Sequence, residues 1–228
     1  KYGIIGQETT GVGGFAKAIR TIPVILDIAQ TVVEHAPQAW IINFTNPSSI
    51  ITETLLNHSQ AKAVGLCNVP IEMQIEIGQS LGVPEDQVHL EYAGLNHLGW
   101  IMDVVVDQKS KMDQVMDELR KGGCPANIPE LPYPDGMWEA LNMIPSPYLR
   151  YFYAPDQMLD KIRANPLSRA QEVARIEEEL LRIYQDENVK TKPEALDKRG
   201  GAWYPKIAVL VVQALVGHRP MKLIVNTH

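Results

Sequence analysis

Trp40-Ile41-Ile42-Asn43-Phe44 is a short apolar run of strand composition, and Ala63-Val64-Gly65-Leu66-Cys67 is a second. Between them Pro47 fits the first position of a helix, with Asn46 as its cap, and the helical pattern runs through Ile50, Leu55 and Leu56. After Cys67, Pro70 opens another helix that stops near Gly82. Strand, helix, strand, helix at this spacing describes βαβ units, with parallel strands joined by right-handed crossovers. Asn46 and Cys67 then sit where strands hand over to loops, the edge at which open α/β sheets build their sites.

Working outward, Tyr2-Gly3-Ile4-Ile5 reads as a short strand. Gly11, Gly13 and Gly14 precede apolar positions at helical spacing over residues 11–36 (Phe15, Ile19, Ile22, Leu26, Ala29, Val33), with a kink expected at Pro23. Gly11-Val12-Gly13-Gly14 is only a weak phosphate-loop candidate, because the Gly-x-Gly-x-x-Gly fingerprint is missing and no strand feeds it directly. After Val83 the pattern changes. Residues 88–92 and 100–106 read as strands around a Gly94–Gly99 loop, followed by a helix over 112–121 and a Pro/Gly-rich loop over 122–137. From Ser146 the chain is mostly helical, with a charged helix near 168–187 and an apolar one near 204–216. The domain boundary is placed near residue 70.

Composition removes several classes of function. The 228 residues carry a net charge of −6 without a Lys/Arg run, so the footprint of a nucleic-acid binder is missing. No apolar run reaches the roughly 18 residues of a membrane span. Two cysteines are too few for a disulfide framework. The expectation is a cytoplasmic protein with reduced thiols. The chain opens on Lys1 and stops on a strand pattern, Leu223-Ile224-Val225-Asn226-Thr227-His228, so it is expected to be a fragment of a longer protein.

Cys67 and the His97 of Gly94-Leu95-Asn96-His97-Leu98 carry the chemistry. A thiol and an imidazole suit a borderline divalent metal. A structural zinc would take four protein ligands in close pairs, for which there are not enough cysteines. Cys67 before a helix N-terminus also gains a setting that favours thiolate. Each residue has an ordinary alternative: Cys67 as a small buried hydrophobe, His97 as a loop histidine bonded to backbone, Asn46 as a plain cap. Tyr148 lies in an aromatic cluster of the kind that usually serves packing, and Arg169 opens the charged helix as a solvated or paired charge. Composition and spacing stop at an α/β metalloenzyme candidate.

Taken together, six stretches resemble the NAD-dependent glycoside hydrolases of family 4, particularly its branch acting on 6-phospho-β-glucosides. They are residues 6–11 (Gly6-Gln7-Glu8-Thr9-Thr10-Gly11), Asn43–Pro47, Gly65–Pro70, Gly94–Leu98, Tyr148–Tyr151 and Lys198–Ala202. The resemblance implies an α/β fold. A remnant of a Rossmann-like parallel sheet over 1–70 is followed by a mixed, mostly helical α+β substrate domain over 71–228. The family's first strand and Gly-rich dinucleotide loop have no counterpart here.

The resemblance further implies Cys67 and His97 as ligands of a divalent metal, usually Mn²⁺, and Tyr148 as the base that takes the proton from C2 of the sugar. It makes Asn46, Asn68 and Arg169 substrate-binding, and places Glu8 and Asn43 near the nicotinamide end of NAD. The reaction it implies is oxidation at C3, loss of the C2 proton, departure of the C1 group, addition of water and return of the hydride. The family's α-glucoside branch carries an aspartic acid after the cysteine as general acid. Asn68 cannot serve so, which favours β-linked phosphosugars such as cellobiose 6'-phosphate, in a homodimer or homotetramer. The rivals are the family's own 6-phospho-α-glucosidases and α-galactosidases, a non-catalytic binding or oligomerisation domain, and a 2-hydroxy-acid dehydrogenase, whose His/Asp/Arg constellation is not found.

Overall fold

The computed structural model describes residues 4–121, 136–199, 204–217 and 220–227. It divides into two compact units, residues 1–155 with 221–228, and residues 156–220. The expected boundary near residue 70 does not follow this division. Both sides of residue 70 lie in the first unit, which holds two apolar cores: one of Ala29, Leu55 and Ala63 before that residue, and one of Met73 and Ile77 with the strands after it.

In the first unit, α1 (Gly11–His35) precedes β1 (Trp40–Asn43), α2 (Ser48–His58), β2 (Lys62–Gly65) and α3 (Asn68–Leu81). β1 and β2 pair in parallel, from Trp40 opposite Lys62 to Asn43 opposite Gly65. This is the βαβ unit read from the sequence. Gly65 is required by packing: any Cβ there would run into the Thr52 hydroxyl on α2 and lie 3.0 Å from the Asn226 Cβ. α1 is one continuous helix through Pro23. It buries Gly14, Ala18 and Ala29, small residues that let it lie close, and Ala29 joins Leu55 and Ala63 in a core completed by Ile25, Ile41 and Leu56. Val12, Phe15, Ile19, Val24 and Ile28 stay exposed.

Three expectations about these elements are corrected. Lys1–Gly3 lie outside the described residues, and Ile4 and Ile5 are not in a strand. Asn46 does not cap α2; Pro47 holds that position, without a side-chain cap, after a cis Asn46–Pro47 bond. α3 begins at Asn68 rather than Pro70, with Cys67 in its cap position. Pro70 is tolerated there because the first-turn N–H groups have no intrahelical partner. α3 ends as expected, with Gly82 in the left-handed conformation (φ 69°).

β3 (Val88–Leu95) and β4 (Leu98–Val106) pair antiparallel, with a register shift between Glu91 and Tyr92. The Gly94–Gly99 segment is therefore no loop. The strands continue through it until Leu95 faces Leu98, leaving Asn96-His97 as the tip of a tight hairpin. β5 (Lys109–Ser110) and β6 (Ile144–Pro145) add to β4. α4 (Met112–Arg120) and α3 cover this sheet, and Ile77, Val88, Ile101, Val104, Met116 and Ile144 are almost fully buried between them. Burial of each such side chain contributes roughly 1.5–3 kcal/mol. α5 (Met137–Leu141) and α6 (Arg150–Tyr153) complete the run to Pro155. Among the described residues, the expected strand at 223–228 reduces to a single antiparallel bridge, Asn226 to Gly65.

The second unit is helical: α7 (Pro155–Ala164), α8 (Arg169–Ile183), α9 (Glu194–Arg199) and α10 (Tyr204–Leu215). Its buried residues are Met158, Leu180, Ala195, Ile207, Leu210 and Val211. Ser168 and Gln171 form a capping box at the head of α8, and the Arg199–Glu177 ion pair (2.8 Å) ties α9 to α8. The expected loop over 122–137 falls mostly outside the described residues. Among those described, no helix is long and apolar enough to cross a membrane.

Candidate active site

The parallel strands end side by side, and each end is tied down. Asn43, 3% exposed, accepts the Thr45 N–H at 3.0 Å and donates to the Thr52 hydroxyl at 3.2 Å. Its amide thus shapes the turn that carries Asn46. The Leu66 N–H donates to the Asn43 carbonyl at 2.8 Å. That bond carries the pairing one residue past β2 and brings Cys67 level with the turn.

Cys67 is 9% exposed and His97 7% exposed. Burial pushes the Cys67 thiol up to about 12, against the hydrogen bond from Val69 and with the charges of Glu72 and Glu8 adding to the rise. The helix N-terminus was expected to favour thiolate; desolvation outweighs it. Burial drives His97 the other way, down to about 4, with the charge of Glu8 opposing. The imidazole is neutral, the form that ligates metals. His97 occupies the hairpin tip at φ 65°, a left-handed conformation uncommon for a residue with a side chain. Its ring lies flat on Tyr148, centroids 3.5 Å apart and planes 8° apart. The Tyr148 phenol is raised well above its ordinary value, by burial first and by the charges of Cys67 and Glu8 next, with Arg150 pulling the other way.

Glu8 links the group. Its carboxylate accepts from the Asn46 amide at 2.7 Å and from Lys17 at 3.0 Å. Partial burial opposes its charge, but these two hydrogen bonds and the charge of Lys17 prevail and hold it below the usual range. Its field reaches Cys67, His97 and Tyr148. The structure therefore brings Glu8, Asn46, Cys67, His97 and Tyr148 together from five separate stretches. Asn68 stands next to Cys67 at the start of α3 and donates to Glu72 at 2.8 Å. Arg169 belongs to the second unit, where it pairs with Glu172 at 3.4 Å and donates to the Arg199 carbonyl at 3.3 Å.

A cavity of about 350 Å³ opens beside Cys67, lined among others by Tyr92, Leu95, Asn96, Leu223 and Asn226. Among the described residues, the buried Asn96 Nδ2 and Thr9 hydroxyl have no hydrogen-bond partner. Tyr92, pushed up to about 12 by burial and by Cys67, and Asn226 were both absent from the sequence-based site. Neither residue belongs to a motif, and Asn226 lies far from the rest in the chain. One sulfur and one uncharged imidazole nitrogen fit a borderline divalent ion. Among the described residues no three His, Cys, Asp or Glu side chains gather closely enough to hold a metal, so oxygens of a bound ligand would have to complete the shell.

Two family models account for almost the whole chain: the family 4 glycosyl hydrolase model over residues 1–83 and the family 4 glycosyl hydrolase C-terminal domain over residues 92–228. The chain belongs to glycosyl hydrolase family 4. A 6-phospho-beta-glucosidase of Escherichia coli is 37% identical over 99% of the chain and 52% of its own length. The family 4 fold is matched by the 6-phospho-beta glucosidase of Thermotoga maritima solved with NAD and glucose-6-phosphate. That structure has a TM-score of 0.85 and 39% identity, covering 99% of this chain and 53% of the other. A second structure of the same protein, with manganese, NAD+ and glucose-6-phosphate, gives a TM-score of 0.79 and 39% identity over 94% of this chain and 50% of the other. The chain thus spans about half the length of these family 4 relatives.

Proposed function

We propose that the protein to which this chain belongs hydrolyses 6-phospho-β-glucosides by oxidation, elimination and addition. The observation that carries the reading is the neutral imidazole of His97 stacked on the Tyr148 phenol, within the field of Glu8 and Cys67. Cys67 and His97 would hold a divalent cation such as Mn²⁺, with Asn43 and Glu8 near the nicotinamide end of NAD. When bound, the dinucleotide supplies reversible hydride exchange and the cation supplies Lewis-acid polarisation.

Tyr148 takes the proton from C2 of the sugar. Its buried phenol is neutral at rest, so it works only when positive charge beside it lowers its pKa toward working pH. The Asn46 amide, aimed by Glu8, orients sugar hydroxyls with Asn68. Arg169 offers a planar clamp for the 6-phosphate. Asn68 has no proton to give a departing glycosyl oxygen, which directs the reading toward β-linked substrates. A cytoplasmic homodimer or homotetramer completes the proposal.

Paired α- and β-linked 6-phosphoglucosides, offered to the full-length protein with NAD⁺ and Mn²⁺, test the reading. The β anomer should be cleaved faster, with activity lost to a chelator. Faster cleavage of the α anomer, or turnover indifferent to both NAD⁺ and metal, would contradict it.

A further inference from the structure

The C-terminal stretch of the chain returns to the ends of the parallel strands through one residue. The Asn226 N–H donates to the Gly65 carbonyl at 2.7 Å, and the Gly65 N–H donates back to the Asn226 carbonyl at 3.0 Å. Both side-chain groups of Asn226 are also engaged. Its Oδ1 accepts from the Ser49 hydroxyl at 3.0 Å, and its Nδ2 donates to the Ser48 hydroxyl at 3.2 Å. Ser48 passes the chain on, donating to the Leu66 carbonyl at 3.1 Å. Asn226 therefore bonds the strand residue two before Cys67 and the two serines that follow Asn46-Pro47. Ser48 is fully buried, so a missing partner there would not be replaced by water at little cost.

We propose that Asn226 is a positioning residue that locks the Asn46 turn to the Cys67 strand end, keeping the sugar-binding amide and the metal-ligating sulfur in register. This rests on the assignment of Asn46 and Cys67 made above. Asn226 touches no reacting atom in this account. It acts through Ser48, Ser49 and Gly65, and its backbone bridge survives any side-chain change. The side-chain bonds alone are therefore open to test.

Asn226→Ala, Asn226→Asp and Ser49→Ala in the full-length protein provide the test, with two readouts. In metal-free protein, the rate at which iodoacetamide labels Cys67, followed by peptide mapping, should rise about tenfold for Asn226→Ala, the worth of one to two hydrogen bonds. In loaded enzyme, the KM for the sugar phosphate and the half-saturating Mn²⁺ should rise together by a similar factor, with kcat changed far less. Asn226→Asp keeps the shape and the acceptor for Ser49 and should fall between. Ser49→Ala removes one bond, so it should move the same way by less and decides the matter if Asn226→Ala does not fold. A labelling rate at the wild-type value in Asn226→Ala, or a fall in kcat with KM and Mn²⁺ demand unchanged, would overturn the proposal. Wild-type protein inactive on phosphoglucosides would refute the functional reading instead, and the labelling arm would still decide the role of Asn226.

Discussion

The His97 imidazole lies face to face with the Tyr148 ring at 3.5 Å. Neutral aromatic pairs usually prefer offset or edge-on contact, so the flat stack is held by its surroundings. His97 is fixed at the tip of a two-residue hairpin, and Tyr148 sits in the short turn that Leu149 anchors in the core at 1% exposure. The arrangement places the ring proposed as a metal ligand directly against the group proposed as base.

Tyr148→Phe should leave this stack and the melting temperature nearly unchanged, because only one hydroxyl is removed. Turnover should fall by about 10²–10⁴, the usual worth of a general base. Steady-state kinetics beside a thermal melt would show it, and a variant retaining most of its kcat would mean that Tyr148 only packs.

The pH behaviour follows from His97. Its folded pKa lies near 4, below the ordinary unfolded value of about 6.5, so between these values the unfolded chain holds more protons. The contribution to stability is fully present above about pH 6.5 and is lost as pH falls toward 4, amounting to roughly 3 kcal/mol at most. Denaturant melts of metal-free protein should show this slope, and His97→Gln should flatten it. Equal slopes in the two proteins would contradict a buried neutral imidazole.

Metal loading should run the other way in protons. Cys67 is held up near 12, so a cation must displace its proton, whereas His97 has none to lose at neutral pH. Calorimetry of Mn²⁺ binding in buffers of different ionisation enthalpy should give about one proton released. Cys67→Ser should abolish that release together with metal-dependent turnover. Release persisting in Cys67→Ser would remove the thiol from the metal site.

Much of this was legible in the chain, for identifiable reasons. Two apolar runs followed by Pro47 and Pro70 place Asn46 and Cys67 where strands hand over to loops, because a parallel pair needs a crossover and has little freedom in how it is made. The hairpin tip was misread because Gly94 and Gly99 look like breakers. Both are in fact strand residues facing each other. The Glu8–Asn46 bond and the return of Asn226 to Gly65 join residues 38 and 161 apart (46 − 8 and 226 − 65). No local pattern encodes such pairings. Asn46 reads as a cap because its side-chain oxygen suits one, but α2 begins a residue later than that reading requires, with Pro47 in the cap position, and the Asn46 Nδ2 donates to Glu8.

In the proposed reaction Tyr148 breaks the bond to hydrogen at C2, which a direct two-carboxylate displacement never touches. The most direct measurement is turnover of a 6-phospho-β-glucoside by the full-length protein in deuterium oxide, with the product read by NMR. Deuterium at C2 of the released glucose 6-phosphate is the predicted result, accompanied by slower turnover of substrate carrying deuterium at that carbon. Product that keeps its original hydrogen at C2, formed at a rate indifferent to the label, would contradict it.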